Sequence, residues 1–278
     1  MSYNPEIPRN RYDNYGDREW TRLEKDGHGE LLYQVHLDIL KRHTNPSDAV
    51  LEIGAGSGRY TKELVAMCAG LTVADISSHQ IAFNKSKMRD LALFDRVKAY
   101  HVLDVLDMSV FGDASFDCVV CIGGVINYLL DREKDGIQEM LRVLKPGGIL
   151  IVGAMSFIGA SLYYLDGIRY EKDQFGIEAT KWVFDTGVQD GEHYPVASKH
   201  YVHMMRSTEM DALFAEFPVK VQERSSAGLF TQAGDSAIEN ARNDKEYWKL
   251  ILEKEIAFTK LQGTLDCGMN IIYVVQKL

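Results

Sequence analysis

A chain of 278 residues is long enough to bury a core without disulfides or a structural metal, and 46% hydrophobic with 26% charged residues is the composition of a folded globular protein rather than a disordered one. The formal charge of −9 opposes nucleic-acid binding through the global field. The longest weakly charged run, residues 149–165, is interrupted by Gly153, Ser156, Gly159 and Ser161 and falls short of the roughly 20 apolar residues that a membrane span requires. The polar first twenty residues lack an apolar signal core, so the default expectation is a cytoplasmic protein with reduced thiols.

Residues 1–28 are charged and aromatic, and Leu32, Val35, Ile39 and Leu40 then recur at helical spacing until Asn45-Pro46-Ser47 breaks the pattern. Residues 49–54 form a short apolar strand that runs into Gly54-Ala55-Gly56-Ser57-Gly58, followed by a helix with Leu64, Val65 and Cys68 on one face. Strands are expected at 71–76, 97–102, 116–124 and 149–155. Helices between them carry Ile81, Met88 and Leu91, capped by Ser77 or Ser78, and Ile137, Met140, Leu141 and Leu144. Lys145-Pro146-Gly147-Gly148 reads as a turn. Cys118 and Cys121 share one strand at a spacing of three, which points them to opposite faces and disfavours a shared metal or redox pair; no other metal-binding spacing stands out.

Beyond Met155 the regularity stops. Residues 156–205 are aromatic and irregular; a helix at about 208–217, a strand VKVQE, a long helix around 243–261 and a strand at 270–276 follow. Alternating strands and helices imply right-handed crossovers and an α/β, doubly wound, mostly parallel sheet of seven strands with helices on both faces. No linker divides the chain, so 1–278 reads as a single domain, with cap helices in 1–45 and a substrate lid in the 156–205 insertion.

The glycine loop sits at the carboxyl end of the first strand, where open parallel sheets bind ligands. Its spacing fits neither nucleotide fingerprint: the third position of G-x-G-x-x-G is Arg59, and no Lys-Ser or Lys-Thr follows to make a phosphate loop. What remains is E-x-G-x-G-x-G, from Glu52, Gly54, Gly56 and Gly58, with Asp75 closing the second strand and Asp104 following the third.

In these residues the chain resembles the class I S-adenosylmethionine-dependent methyltransferases, over about residues 49–155. The resemblance implies a Rossmann-like methyltransferase fold and S-adenosyl-L-methionine as cofactor. It places Glu52, Gly54, Ala55, Gly56 and Gly58 around the cofactor's amino-acid end. Asp75 falls on the ribose hydroxyls, Ile76 against adenine, Asp104 with Val105 at the adenine amine (Asp107 competing), and Ile122 and Gly123 along the cleft. A carboxylate beside an ammonium and a sulfonium is chemically sensible.

The implied reaction is methyl transfer to oxygen, nitrogen or carbon of a small molecule. Transfer or cyclisation of the aminocarboxypropyl arm, and a non-catalytic cofactor-binding module, are the alternatives. Substrate candidates are Tyr12, Tyr15 and Trp20 of the leading segment, Asn127 and Tyr128 beyond the fourth strand, and Tyr163 of the insertion. His193 and His200 are candidate general bases because imidazole titrates near neutrality. Nucleic acid and membrane are not expected partners; the sequence is silent on oligomeric state.

Overall fold

The computed structural model describes residues 2–16, 18–195 and 201–278. Seven strands form one sheet: β1 (Ala49–Ile53), β2 (Gly70–Asp75), β3 (Val97–Val102), β4 (Phe116–Cys121), β5 (Leu144–Met155), β6 (Val219–Ala227) and β7 (Asn270–Lys277), in the spatial order β3-β2-β1-β4-β5-β7-β6. The first five are parallel, and β7 pairs antiparallel with both β5 and β6. Chain order reverses direction between β1 and β4, and at that switch the carboxyl ends of the strands open a crevice.

Alternation along the strands feeds two apolar layers. Leu51, Ile53, Val119, Cys121, Leu150, Val152 and Tyr273 point to one side, where Ile137, Met140 and Leu141 of a helix at Glu133–Val143 cover them. Val50, Val73, Cys118, Val120, Ile151 and Val274 point to the other, against Val35, Ile39 and Leu40 of the helix Gly27–His43 and Ile81 and Met88 of the helix Ser78–Asp90. The two cysteines of β4 therefore lie on opposite faces, as their spacing requires, and burial pushes each thiol up to about 12. Asp26 and Ser77 cap the two latter helices by accepting the N–H of Gly29 and of Gln80.

The structure departs from the sequence reading in four places. The helix after the glycine loop is one turn, Thr61–Leu64, after which the chain tightens to i→i−3 bonds because β2 already begins at Gly70. Residues 145–148 do not precede β5 but bulge out within it: Phe116 pairs with Leu144 and Cys118 with Ile149, and Gly147 takes φ +78° at the bend. A further helix, Asp235–Asn243, precedes the expected one near the C-terminus, which runs Lys245–Phe258 with the Asp244 carboxylate as its cap.

The fourth departure is the insertion, which is regular. It holds helices Phe157–Tyr163, Leu165–Phe175 and Ile177–Thr186, then a two-residue antiparallel pairing of Val188–Gln189 with Val202–His203. The middle helix buries no residue fully, and its half-buried side, Ile168, Glu171 and Phe175, interrupts the apolar period with a charge. The first helix lies directly on the main fold: a Cβ on Gly159 would stand 1.8 Å from the carbonyl oxygen of Gly268. Gly159→Ala is therefore expected to destabilise the protein by about 1–3 kcal/mol, read as a lower urea midpoint with an unchanged slope.

Candidate functional site

At the tip of β1 the chain turns through three glycines with positive φ: Gly54 at 68°, Gly56 at 51° and Gly58 at 96°. A Cβ on Gly54 would stand 2.2 Å from Cγ2 of Val125, so glycine is required there by space as well as by φ. The loop is stitched to β2. Gly54 and Ala55 both donate their N–H to the carbonyl of Ala74, at 2.9 and 3.2 Å, and Gly56 N–H donates to Oδ2 of Asp75 at 2.8 Å. Asp75 also accepts the N–H of Ser77 at 2.8 Å on its other oxygen. Its two backbone bonds favour the charged form, but burial outweighs them and its carboxyl rises to about 6.

Glu52 lies beneath the loop, 3% exposed. The hydroxyl of Thr61 donates to Oε2 at 2.6 Å, and Asn84, itself fully buried, donates to the Thr61 oxygen at 2.9 Å. Burial pushes Glu52 up to about 8; the Thr61 hydrogen bond opposes the rise and the charge of Asp75 adds to it. Glu52 is thus a neutral acid at pH 7 in this state.

These groups border a cavity of about 290 Å³. Glu52, Gly54, Ala55, Gly56, Asp75, Ile76, Asp104, Val105, Ile122 and Gly123 all line it, so ten of the eleven expected cofactor positions converge. Gly58 does not; it turns the chain against Asn84, whose Cγ would stand 2.8 Å from an added Cβ. Asp104 accepts the phenol of Tyr3 at 2.8 Å and the N–H of Leu106 at 2.9 Å. Its competitor Asp107 lies outside the lining and accepts the N–H of Ser109.

The opposite wall comes from the N-terminal segment. A helix at Glu6–Tyr15 presents Arg11, Tyr12 and Tyr15 to the cavity, and a short turn, Arg18–Thr21, brings Glu19. The helix is tied down at its carboxyl end: Asp13 accepts the hydroxyl of Ser77 at 2.5 Å, and the Gln80 amide donates to the carbonyls of Tyr12 and Gly16. Tyr12 and Tyr128 meet through their hydroxyls at 3.0 Å with rings edge to face.

Tyr12, Tyr15 and Tyr128 thus line the cavity as expected of substrate candidates, whereas the others do not. Trp20 faces away and lies under the guanidinium of Arg59, 5.0 Å from its ring. Asn127 is fully buried and braces the β5 tip: its amide donates to the carbonyl of His203 at 2.6 Å and accepts the N–H of Met155 at 2.8 Å. Tyr163 packs its ring on His28, leaving its neighbour Tyr164 at the cavity rim. His193 is held elsewhere, by Asp190 at 2.9 Å and flat against Trp182, so it is not placed as a base for this cavity. His200 lies outside the described residues.

Sequence reasoning missed four polar residues of the cavity wall. Glu19, Arg22, His36 and Tyr60 all line the cavity. Arg22 holds Glu19 through Nε, at 3.1 Å from both carboxylate oxygens, and Nη2 at 2.7 Å. His36 Nδ1 lies 2.7 Å from the hydroxyl of Tyr60, and burial, with the charge of Arg22, lowers His36 to about 3 so that it stays neutral. Tyr60 follows the loop by two residues and was in principle findable; His36 sits among apolar helix positions and gives no separate signal.

Among the described residues no three His, Cys, Asp or Glu side chains converge to hold a metal, and no helix is long and apolar enough to cross a membrane.

Residues 51–152 match the model of a methyltransferase domain. A ubiquinone/menaquinone biosynthesis C-methyltransferase, UbiE, of Klebsiella pneumoniae is 32% identical over 148 residues, covering 52% of this chain and 55% of that protein. A demethylmenaquinone methyltransferase of Clavibacter sepedonicus is 36% identical over 105 residues, 38% of this chain and 40% of its own. The chain thus spans about half the length of the curated relatives it matches. Among solved structures, a SAM-dependent methyltransferase from Methanosarcina mazei superposes with a TM-score of 0.55 at 24% identity, over 86% of this chain and 97% of that one. A geranyl diphosphate C-methyltransferase from Streptomyces coelicolor A3(2), solved with S-adenosyl-L-homocysteine, gives 0.52 at 14% identity over 88% and 77%. These two likenesses are of fold.

The buried acids make stability depend on pH. Glu52 titrates near 8 when folded against an ordinary 4.5, so the folded state keeps a proton that the unfolded chain has released. Stability then falls as pH rises from about 4.5 and levels off above about 8. Between pH 6.5 and 8 the unfolding temperature is expected to drop, and Glu52→Gln to flatten that drop, measured by calorimetry.

Proposed function

We propose that this chain, whose residues 51–152 match a methyltransferase domain, is a class I S-adenosylmethionine-dependent methyltransferase that transfers a methyl group to a small-molecule acceptor held beneath the N-terminal cap. One observation carries the reading: Asp75 and Asp104, at the tips of the adjacent strands β2 and β3, face the same cavity as the Gly54–Gly56 loop. Acids on two adjacent strand tips suit the hydroxyls and the ring amine of an adenosine moiety, with Ile76 and Val105 as apolar neighbours. The loop amides argue against a phosphate. Gly54, Ala55 and Gly56 already spend their N–H groups on Ala74 and Asp75, whereas a phosphate cradle needs them turned toward the ligand.

The bound cofactor would supply a methyl carbon already activated by its sulfonium. The protein then has to align the acceptor and keep water out. Tyr12, Tyr15, Tyr128 and Tyr164 form an aromatic wall that suits a flat acceptor, in line with the names of relatives in ubiquinone and menaquinone biosynthesis. His36, uncharged, orients the Tyr60 hydroxyl at the cavity edge and adds no cation next to a sulfonium. The segment 1–45 serves as the cap. The insertion contributes Tyr164 to the rim and acts as a partial lid within one continuous domain. Four free thiols, two of them buried in the core, fit a cytoplasmic, reducing setting.

Asp75→Ala is expected to raise the dissociation constant for S-adenosylhomocysteine about tenfold or more, because a charge-assisted hydrogen bond contributes on the order of 1.5–3 kcal/mol; calorimetry on the folded variant measures this. Incubating the protein with methyl-labelled S-adenosylmethionine and a metabolite extract should yield S-adenosylhomocysteine and a labelled small molecule. Release of methylthioadenosine instead, or binding of NAD or ATP in place of the sulfonium nucleoside, would overturn the assignment.

A further inference from the structure

The negative charge that answers the cofactor's ammonium is not where the loop signature puts it. Glu52 is sealed beneath the loop and uses one oxygen on Thr61. At neutral pH it is protonated, since its carboxyl titrates near 8. Residues 54–58 are Gly, Ala, Gly, Ser and Gly, so the loop offers no acid of its own. A carboxylate arrives from the opposite wall. Glu19 lies over the loop, its Cγ 3.4 Å from where a Cβ on Gly56 would stand, and it lines the same cavity as Gly54 and Asp75.

Arg22 fixes that carboxylate without using it up. Oε1 takes the short contact from Nη2 at 2.7 Å, whereas Oε2 receives only the 3.1 Å contact from Nε, which it shares with Oε1. A carboxylate has about four acceptor sites, so Oε2 keeps capacity for a further donor. Glu19 is also built in rather than waving: its side chain is 17% exposed, and the helix before it is tied through Asp13 to Ser77, and through the Gly16 carbonyl to Gln80, at the start of the helix that follows β2.

We propose that Glu19 is a cofactor-binding residue whose carboxylate receives the ammonium of the cofactor's amino-acid arm against the Gly54–Gly56 loop. The inference rests on the cofactor reading above. It makes the cap part of the cofactor site as well as the cover of the acceptor: with Glu19 in contact, holding the cofactor and closing the cap become one event.

Calorimetry with two probes tests this, S-adenosylhomocysteine and its deaminated analogue lacking only the α-amino group. The wild type should favour the amino compound about tenfold, the scale of one charge-assisted hydrogen bond. Glu19→Gln should remove that preference by weakening S-adenosylhomocysteine about tenfold while the analogue's affinity stays within about twofold. Glu52→Gln should keep the preference. Unchanged S-adenosylhomocysteine affinity in Glu19→Gln, equal weakening of both probes, or loss of the preference in Glu52→Gln would each overturn the role given to Glu19. A wild type that binds neither probe would instead overturn the cofactor reading itself.

Discussion

The carboxylate of Asp75 joins two loops that the chain makes 19 residues apart, taking the N–H of Gly56 on one oxygen and that of Ser77 on the other. This knot fixes the distance between the tips of β1 and β2, and with it the floor of the cavity. It also explains why the glycines are needed. Gly56 has to turn its N–H back toward β2 at a φ of 51°, while Gly54 must pass Val125 without a side chain. The knot carries an electrostatic cost, since a buried carboxylate with two amide donors still titrates near 6. A site that keeps such a group is one in which a ligand's donors complete the set.

The framework was legible in the sequence because its signals are local. Period-two alternation gave the strands and put Cys118 and Cys121 on opposite faces, and the place of each acid after its strand put Asp75 and Asp104 on one crevice. What escaped depends on contacts between distant segments. The helix Leu165–Phe175 buries no residue fully, and the side it half-buries mixes Ile168 and Phe175 with Glu171, so its apolar period is interrupted. Trp20 looked like a ligand wall because aromatic residues mark sites, but Arg59 claims its face. Asn127 looked like a substrate contact, yet it satisfies backbone groups of β5 and the insertion that no spacing in the sequence links to it. His193 was singled out for its imidazole, and chain position alone says nothing of its distance from the cavity.

Charge is arranged around the cavity in opposed pairs. Arg22 answers Glu19, Tyr60 is tied to a neutral His36, and Glu52 carries its own proton. The wall therefore presents little net charge to a cofactor that is itself cationic. Its remaining acids, Asp75 and Asp104, stand at the tips of β2 and β3. Tyrosines fill the remainder, giving apolar area with polar ends.

The cap meets its partners across long stretches of chain: Tyr3 reaches Asp104 and Tyr12 reaches Tyr128, separations of 101 and 116 residues. During synthesis the amino-terminal segment leaves the ribosome well before β3 and β4 exist, so its contacts with Asp104 and Tyr128 wait until both strands have been paired. It buries only Pro8 by itself and leans on a few side-chain hydrogen bonds. Such a segment is the last to settle and the first to come away. The part of the site made earliest is thus finished latest.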